Sequence, residues 1–166
     1  MGLSIFSLLS RWFWLAFIGA TCLNALNFRR RANQFIKARP ELEPGYQILT
    51  KSILFSGNLP WIVMGAGIIF GGVPSVFSYF RPRDGNPFVL AFFFVVFLEW
   101  ILGTYWLLFL GGAQMVVDYP GLTNFKMESR RSIIAFWFLC LTGGVIGVIL
   151  MFSNTYPQSF PLPSPK

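Results

Sequence analysis

Four apolar stretches alternate with short polar ones along this chain, at about 8–28, 59–80, 88–110 and 133–153. The third is the cleanest: of its 23 residues only Glu99, Gly103 and Thr104 fall outside the apolar and aromatic set. At ~1.5 Å rise per residue such a helix is roughly 35 Å long, enough to cross a hydrocarbon core with some tilt. The pattern therefore predicts an all-α, polytopic membrane protein: a small bundle of four spans, forming a single domain over 1–153, followed by a Pro-rich extracytoplasmic tail at 154–166.

The other stretches carry more punctuation. The first contains Arg11, expected to snorkel to the interface beside Trp12 and Trp14, and is read as a retained span rather than a cleaved signal. Beyond it, Phe28, Ala32, Phe35 and Ile36 recur at helical spacing among basic residues, predicting a basic interfacial helix as far as Arg39, where Pro40 ends it. The second run holds Gly57, Asn58, Pro60, Gly65, Gly67, Gly71, Gly72 and Pro74. Its membrane part is placed at 59–80, with Pro60 in the first turn and Pro74 as a kink. A tight polar turn at 81–87 should join it to the third span as a hairpin. Apolar residues after 110 allow that third helix to run on through Val117. Gly67 with Gly71, and Gly143 with Gly147, have the small-xxx-small spacing that permits close helix packing.

Composition agrees with this class and narrows the chemistry. The chain is 55% hydrophobic and 11% charged, far below the charge of a soluble domain. Its net charge of +7 lies between apolar runs, where it orients the chain and meets anionic lipid rather than nucleic acid. There is no histidine, which removes His-based acid–base catalysis and His-ligated zinc or haem. Cys22 and Cys140 lie inside apolar runs and read as small buried hydrophobes; no metal site and no cofactor are expected.

The charges also give a direction. Arg29, Arg30, Arg31, Lys37, Arg39 and Lys51 lie in one polar loop, and Lys126, Arg130 and Arg131 in another on the same side. Only Arg11, Arg81, Arg83 and Lys166 lie opposite, so both loops are expected in the cytoplasm and both termini outside. Arg29, Arg30, Arg31, Lys37 and Arg39 are the candidate contacts to anionic headgroups. A bacterial cytoplasmic membrane is the expected location.

Glu99 is the candidate functional residue, because a carboxyl in mid-membrane costs roughly 2.5–3.5 kcal/mol or more. Helical spacing puts it on a face with Phe92, Val95, Val96, Gly103 and Trp106, and the span boundaries set it level with Gly71, Thr142, Gly143 and Gly144. Two readings follow: a proton or cation site, or a protonated side chain bonded to Thr142, Tyr105, Thr104 or a backbone carbonyl as packing glue. No set of general base, nucleophile or paired acids supports an enzyme. The expected function is non-catalytic: a subunit, assembly factor or scaffold of a larger membrane complex, whose partners are lipid, other membrane proteins or further copies of itself. The alternative is a homo-oligomeric proton- or cation-coupled transporter or channel using Glu99; a third is a lipid-binding protein acting through 29–39.

Overall fold

A computed structural model describes residues 5–122 and 129–153, with side chains from residue 9 onward. The expected tail at 154–166, and Lys126, lie outside the described residues. Among those described the protein is all-helical, and three helices are long and apolar enough to cross a membrane: Pro40–Ile69, Pro87–Phe109 and Arg130–Phe152. The first helix is not among them. Arg11, Asn24 and Asn27 dilute its apolar half, and its second half is basic.

Helix α1, Ile5–Ala38, runs through the three arginines without a break. At 34 residues it is ~50 Å long, more than a hydrocarbon core needs. A single 3₁₀ turn, Pro40–Leu42, reverses the chain into α2, Glu43–Ile69, which opens with an acidic residue and a proline in its first turn.

The second span thus differs from the expected 59–80. It begins 16 residues earlier, because Tyr46 and Leu49 find an apolar partner in Phe28 and Ala32 of α1 and keep the polar stretch around them helical. It also ends earlier. The carbonyl of Gly67 accepts hydrogen bonds from the N–H groups of both Gly71 and Val73, and Gly72 takes φ 65°, a left-handed conformation that breaks the helix before Pro74 is reached. Pro74 therefore kinks nothing, and Pro60 is interior to α2 rather than in its first turn. Residues 70–86 form a folded cap with two 3₁₀ turns, Val76–Phe80 and Pro82–Asp84, in place of a simple turn at 81–87.

Helix α3, Pro87–Phe109, matches its expected limits within one residue. Asn86 caps it, accepting from the Phe88 N–H at 2.9 Å, and Pro87 sits in the first turn. Gly111, at φ 76°, stops it, and the apolar residues beyond form a separate short helix α4, Gly112–Asp118. The continuation through Val117 is thus broken by one left-handed glycine. Helix α5, Arg130–Phe152, starts at a Ser129 cap whose Oγ accepts from the Ser132 N–H at 3.2 Å.

The helices pack antiparallel in chain order. Between α1 and α2, Phe17 stacks on Trp61 at 4.0 Å, and Gly65 and Gly57 lie against Trp14 and Thr21. Between α2 and α3, Gly67 and Gly71 receive Phe88. On the other side of α3, Trp137 lies on Gly103, Trp100 on Gly144 and Phe93 on Phe152. Apolar clusters close both ends. One is built on Met64, Ile68, Tyr79, Val89 and Phe93 beside the cap; the other, on Phe28, Ala32, Tyr46 and Leu49, joins α1 and α2 to Trp106 and Tyr119. At this second end Arg31 Nε donates to the Gly121 carbonyl at 3.0 Å and the Tyr46 hydroxyl to the Pro120 carbonyl at 2.9 Å. The two basic loops therefore meet at one end of the bundle.

Candidate functional site

Glu99 sits halfway along α3, seven residues from Phe92 and seven from Trp106. Both of those rings face α2: Phe92 lies 6.3 Å from Trp61, and Trp106 packs into the cluster of Tyr46 and Leu49. Two turns of α-helix return nearly to the same face, so Glu99 lies on the α2 side as well. The antiparallel register then sets it level with about residues 53–56 of α2.

The Oε1 atom of Glu99 is buried and has no hydrogen-bond partner. The side chains expected to hold it are placed elsewhere. Thr104 Oγ1 donates to the Trp100 carbonyl at 2.7 Å and accepts from Trp137 Nε1 at 2.9 Å. Thr142 is exposed and donates to the Phe138 carbonyl of its own helix at 2.8 Å. Tyr105 is 53% exposed, pointing away from the bundle. Gly103 is occupied by Trp137, while Gly143 has open space where a side chain would begin. Gly71 lies against Phe88, three turns from Glu99, and is not at its depth; Gly144, filled by Trp100, is.

A polar residue that the sequence pattern did not single out is buried on the side of α2 that meets α1. Asn58 is 92% buried by its 8% exposure; its Nδ2 donates to the Leu54 carbonyl at 2.8 Å and approaches Cys22 Sγ at 4.0 Å. Its Oδ1, like Glu99 Oε1, is buried without a partner. Beside it, between the adjacent residues, Thr21 Oγ1 donates to the Gly57 carbonyl at 3.4 Å. The signal available in the sequence was an amide inside an apolar run beside a proline; among so many glycines it read as helix punctuation. Cys22 is half-buried, whereas Cys140 is exposed on α5 rather than buried as expected.

At the basic end, the five candidate lipid contacts divide. Arg29 pairs with Glu43 at 3.0 Å and Arg31 is tied to the Gly121 carbonyl, whereas Arg30, Lys37 and Arg39 are exposed. Among the described residues no three His, Cys, Asp or Glu side chains cluster in a way that could hold a metal ion.

No protein-family model, curated protein or solved structure matches the chain.

Proposed function

We propose that the protein works without catalysis, as a subunit, assembly factor or scaffold of a larger membrane complex, and that it docks through the outer face of α5. In this reading α1, which lies alongside α2 from Trp14 to Ala32, is a fourth span. The basic end faces the cytoplasm, both termini lie outside, and the membrane is a bacterial cytoplasmic one. The nine-to-four distribution of Lys and Arg supports that orientation.

The observation that carries the docking is the exposure of α5. Only 6% of its apolar stretch is buried within the chain, against 33% for α2. Its Gly143 and Gly147 meet nothing within 4 Å. Small residues one turn apart on an uncovered helix leave a groove into which another transmembrane helix fits closely. In this reading the uncovered face of α5 is the chain's means of action.

Extraction in mild detergent followed by native gel analysis tests the reading. The expected result is migration in a complex with other membrane proteins, and its loss when Gly143 and Gly147 are both replaced by leucine. A chain that migrates alone, or one whose complex survives the double substitution, overturns it.

A further inference from the structure

Glu99 is the one acid of the apolar stretches, and its own chain does not neutralise it. No Lys or Arg occurs in 12–28, 52–80, 88–110 or 132–153. The ion pairs between described residues, Arg29 with Glu43 and Arg81 with Asp84, lie at the two ends of the bundle. Lys51 stands two turns before Asn58 on α2, and so on the face that meets Cys22 of α1 rather than α3. Arg130 is held at the end of α3, where its Nη2 donates to the Leu108 carbonyl at 3.1 Å.

The carboxyl is fixed at mid-membrane depth. Glu99 lies twelve residues after Pro87 and ten before Phe109, which is ~18 Å and ~15 Å along the axis. Its short stem cannot snorkel to either interface, as a long Lys or Arg does near a helix end. Yet the group is not sealed inside the chain. Glu99 is half-buried, and Oε1 is enclosed without a partner. Oε2 is not enclosed and accepts no hydrogen bond from the described residues, so it opens on the surface of the chain. Leu102, one turn further along α3, is 56% exposed. A carboxyl with one oxygen bare at a lipid-facing surface is costly unless a cation meets it there.

We propose that Glu99 is the contact point for a transmembrane helix of another protein that carries a Lys or Arg at mid-span, the two side chains forming an ion pair within the membrane. A second copy of this chain does not fit, because none of its apolar stretches holds such a cation. The inference rests on the reading that the chain joins a membrane complex, but not on docking through α5. The carboxyl is carried by α3 and the open glycines by α5, so the two contacts are separate.

The probes are synthetic polyleucine helices of about 20 residues, long enough to span, with Lys, Leu or Asn at the centre. Each is reconstituted with the full chain in phosphatidylcholine vesicles, and association is read by fluorescence energy transfer. The Lys helix should bind roughly tenfold more tightly than the Leu helix, the scale of an interhelical polar contact in a bilayer. The preference should vanish in Glu99→Leu and in Glu99→Gln; the second keeps the side chain's shape and serves if the first does not fold. It should persist in the Gly143→Leu/Gly147→Leu double variant, so that failure of the α5 docking and failure of the Glu99 contact are told apart. No preference for Lys over Leu, or one that survives both Glu99 substitutions, overturns the contact and leaves the α5 reading standing. Equal binding of the Asn helix overturns the ion pair in favour of a neutral hydrogen bond. Association of the chain with itself that is lost in Glu99→Leu overturns it in favour of a second copy.

Discussion

Helices α2 and α5 are both apolar and both carry several glycines, yet they use them in opposite ways. All four glycines of α2 are filled: Gly45 by Tyr119, Gly57 by Thr21, Gly65 by Trp14 and Gly67 by Tyr79 and Phe88. In α5 only Gly144 is filled, by Trp100, and Gly143 and Gly147 stand open. The pairs Gly67/Gly71 and Gly143/Gly147 have the same four-residue spacing, so spacing alone does not say whether a close approach is made within the chain. What decides is whether an aromatic side chain is delivered opposite. The α1–α2 and α2–α3 hairpins and the end of α4 deliver four rings to α2; α5 receives one.

The sharpest way to break this contrast is to fill a glycine of each kind. A Cβ at Gly65 would stand 2.7 Å from the Trp14 ring, and the ring is itself wedged between helices. Gly65→Leu should therefore cost about 3 kcal/mol or more, the upper range for overpacking a close-packed site. Gly147→Leu should change the stability of the isolated chain by no more than about 0.5 kcal/mol, as at other open positions. Thermal unfolding of the two purified variants in the same detergent measures both. Equal losses would mean that α5 is packed as tightly as α2, and the contrast would fail.

A smaller effect is expected at the cap that holds α2 to α3. Tyr79 is buried there; its hydroxyl donates to the Met64 carbonyl at 3.0 Å and its ring meets Phe92 edge-on at 5.2 Å. Tyr79→Phe keeps the ring and removes the hydrogen bond, a loss of about 1 kcal/mol. Burial also pushes the Tyr79 phenol from 10.0 up to about 12. The folded state thus holds the phenolic proton more tightly than the unfolded one, so the contribution is complete below pH 10 and is lost as pH rises from 10 to 12. Denaturant titrations across that range should show stability falling in the native chain, with a shallower fall in Tyr79→Phe. Parallel curves would mean that Tyr79 is not sequestered and that the cap is open.

How much of this could be read from the residues depended on what set each boundary. The limits of α3 and α5 were legible within three residues, because unbroken apolar runs end at local signals: Asn86-Pro87 and Gly111 for the one, Ser129 for the other. Those of α2 were not. Its first turns are polar on one side and helical because Tyr46 and Leu49 meet Phe28 and Ala32 across the hairpin, a tertiary contact that no local pattern records. Its end was hidden for a different reason: the first part of the cap, 70–80, continues the apolar run of the helix, and the left-handed Gly72 marks the break. Glu99 was conspicuous as the lone charge of its span. Asn58 was not, since what distinguishes it is an unpartnered oxygen, which is a property of the packing.

The smallest effect belongs to the polar end of the α1–α2 hairpin, where charge rather than shape joins the helices. Arg29 and Glu43 approach to 3.0 Å, but their side chains remain 32% and 46% exposed, so water and salt screen the pair. Arg29→Ala should cost less than about 1 kcal/mol, and the loss should shrink in high salt. Arg30→Ala, at an exposed position, should leave stability unchanged. If Arg29→Ala instead costs as much in high salt as in low, the ion pair is not what is lost. The aliphatic stem of Arg29, lying between α1 and α2, would then be contributing by packing as Trp14 and Thr21 do further along, and the whole hairpin would be held by shape.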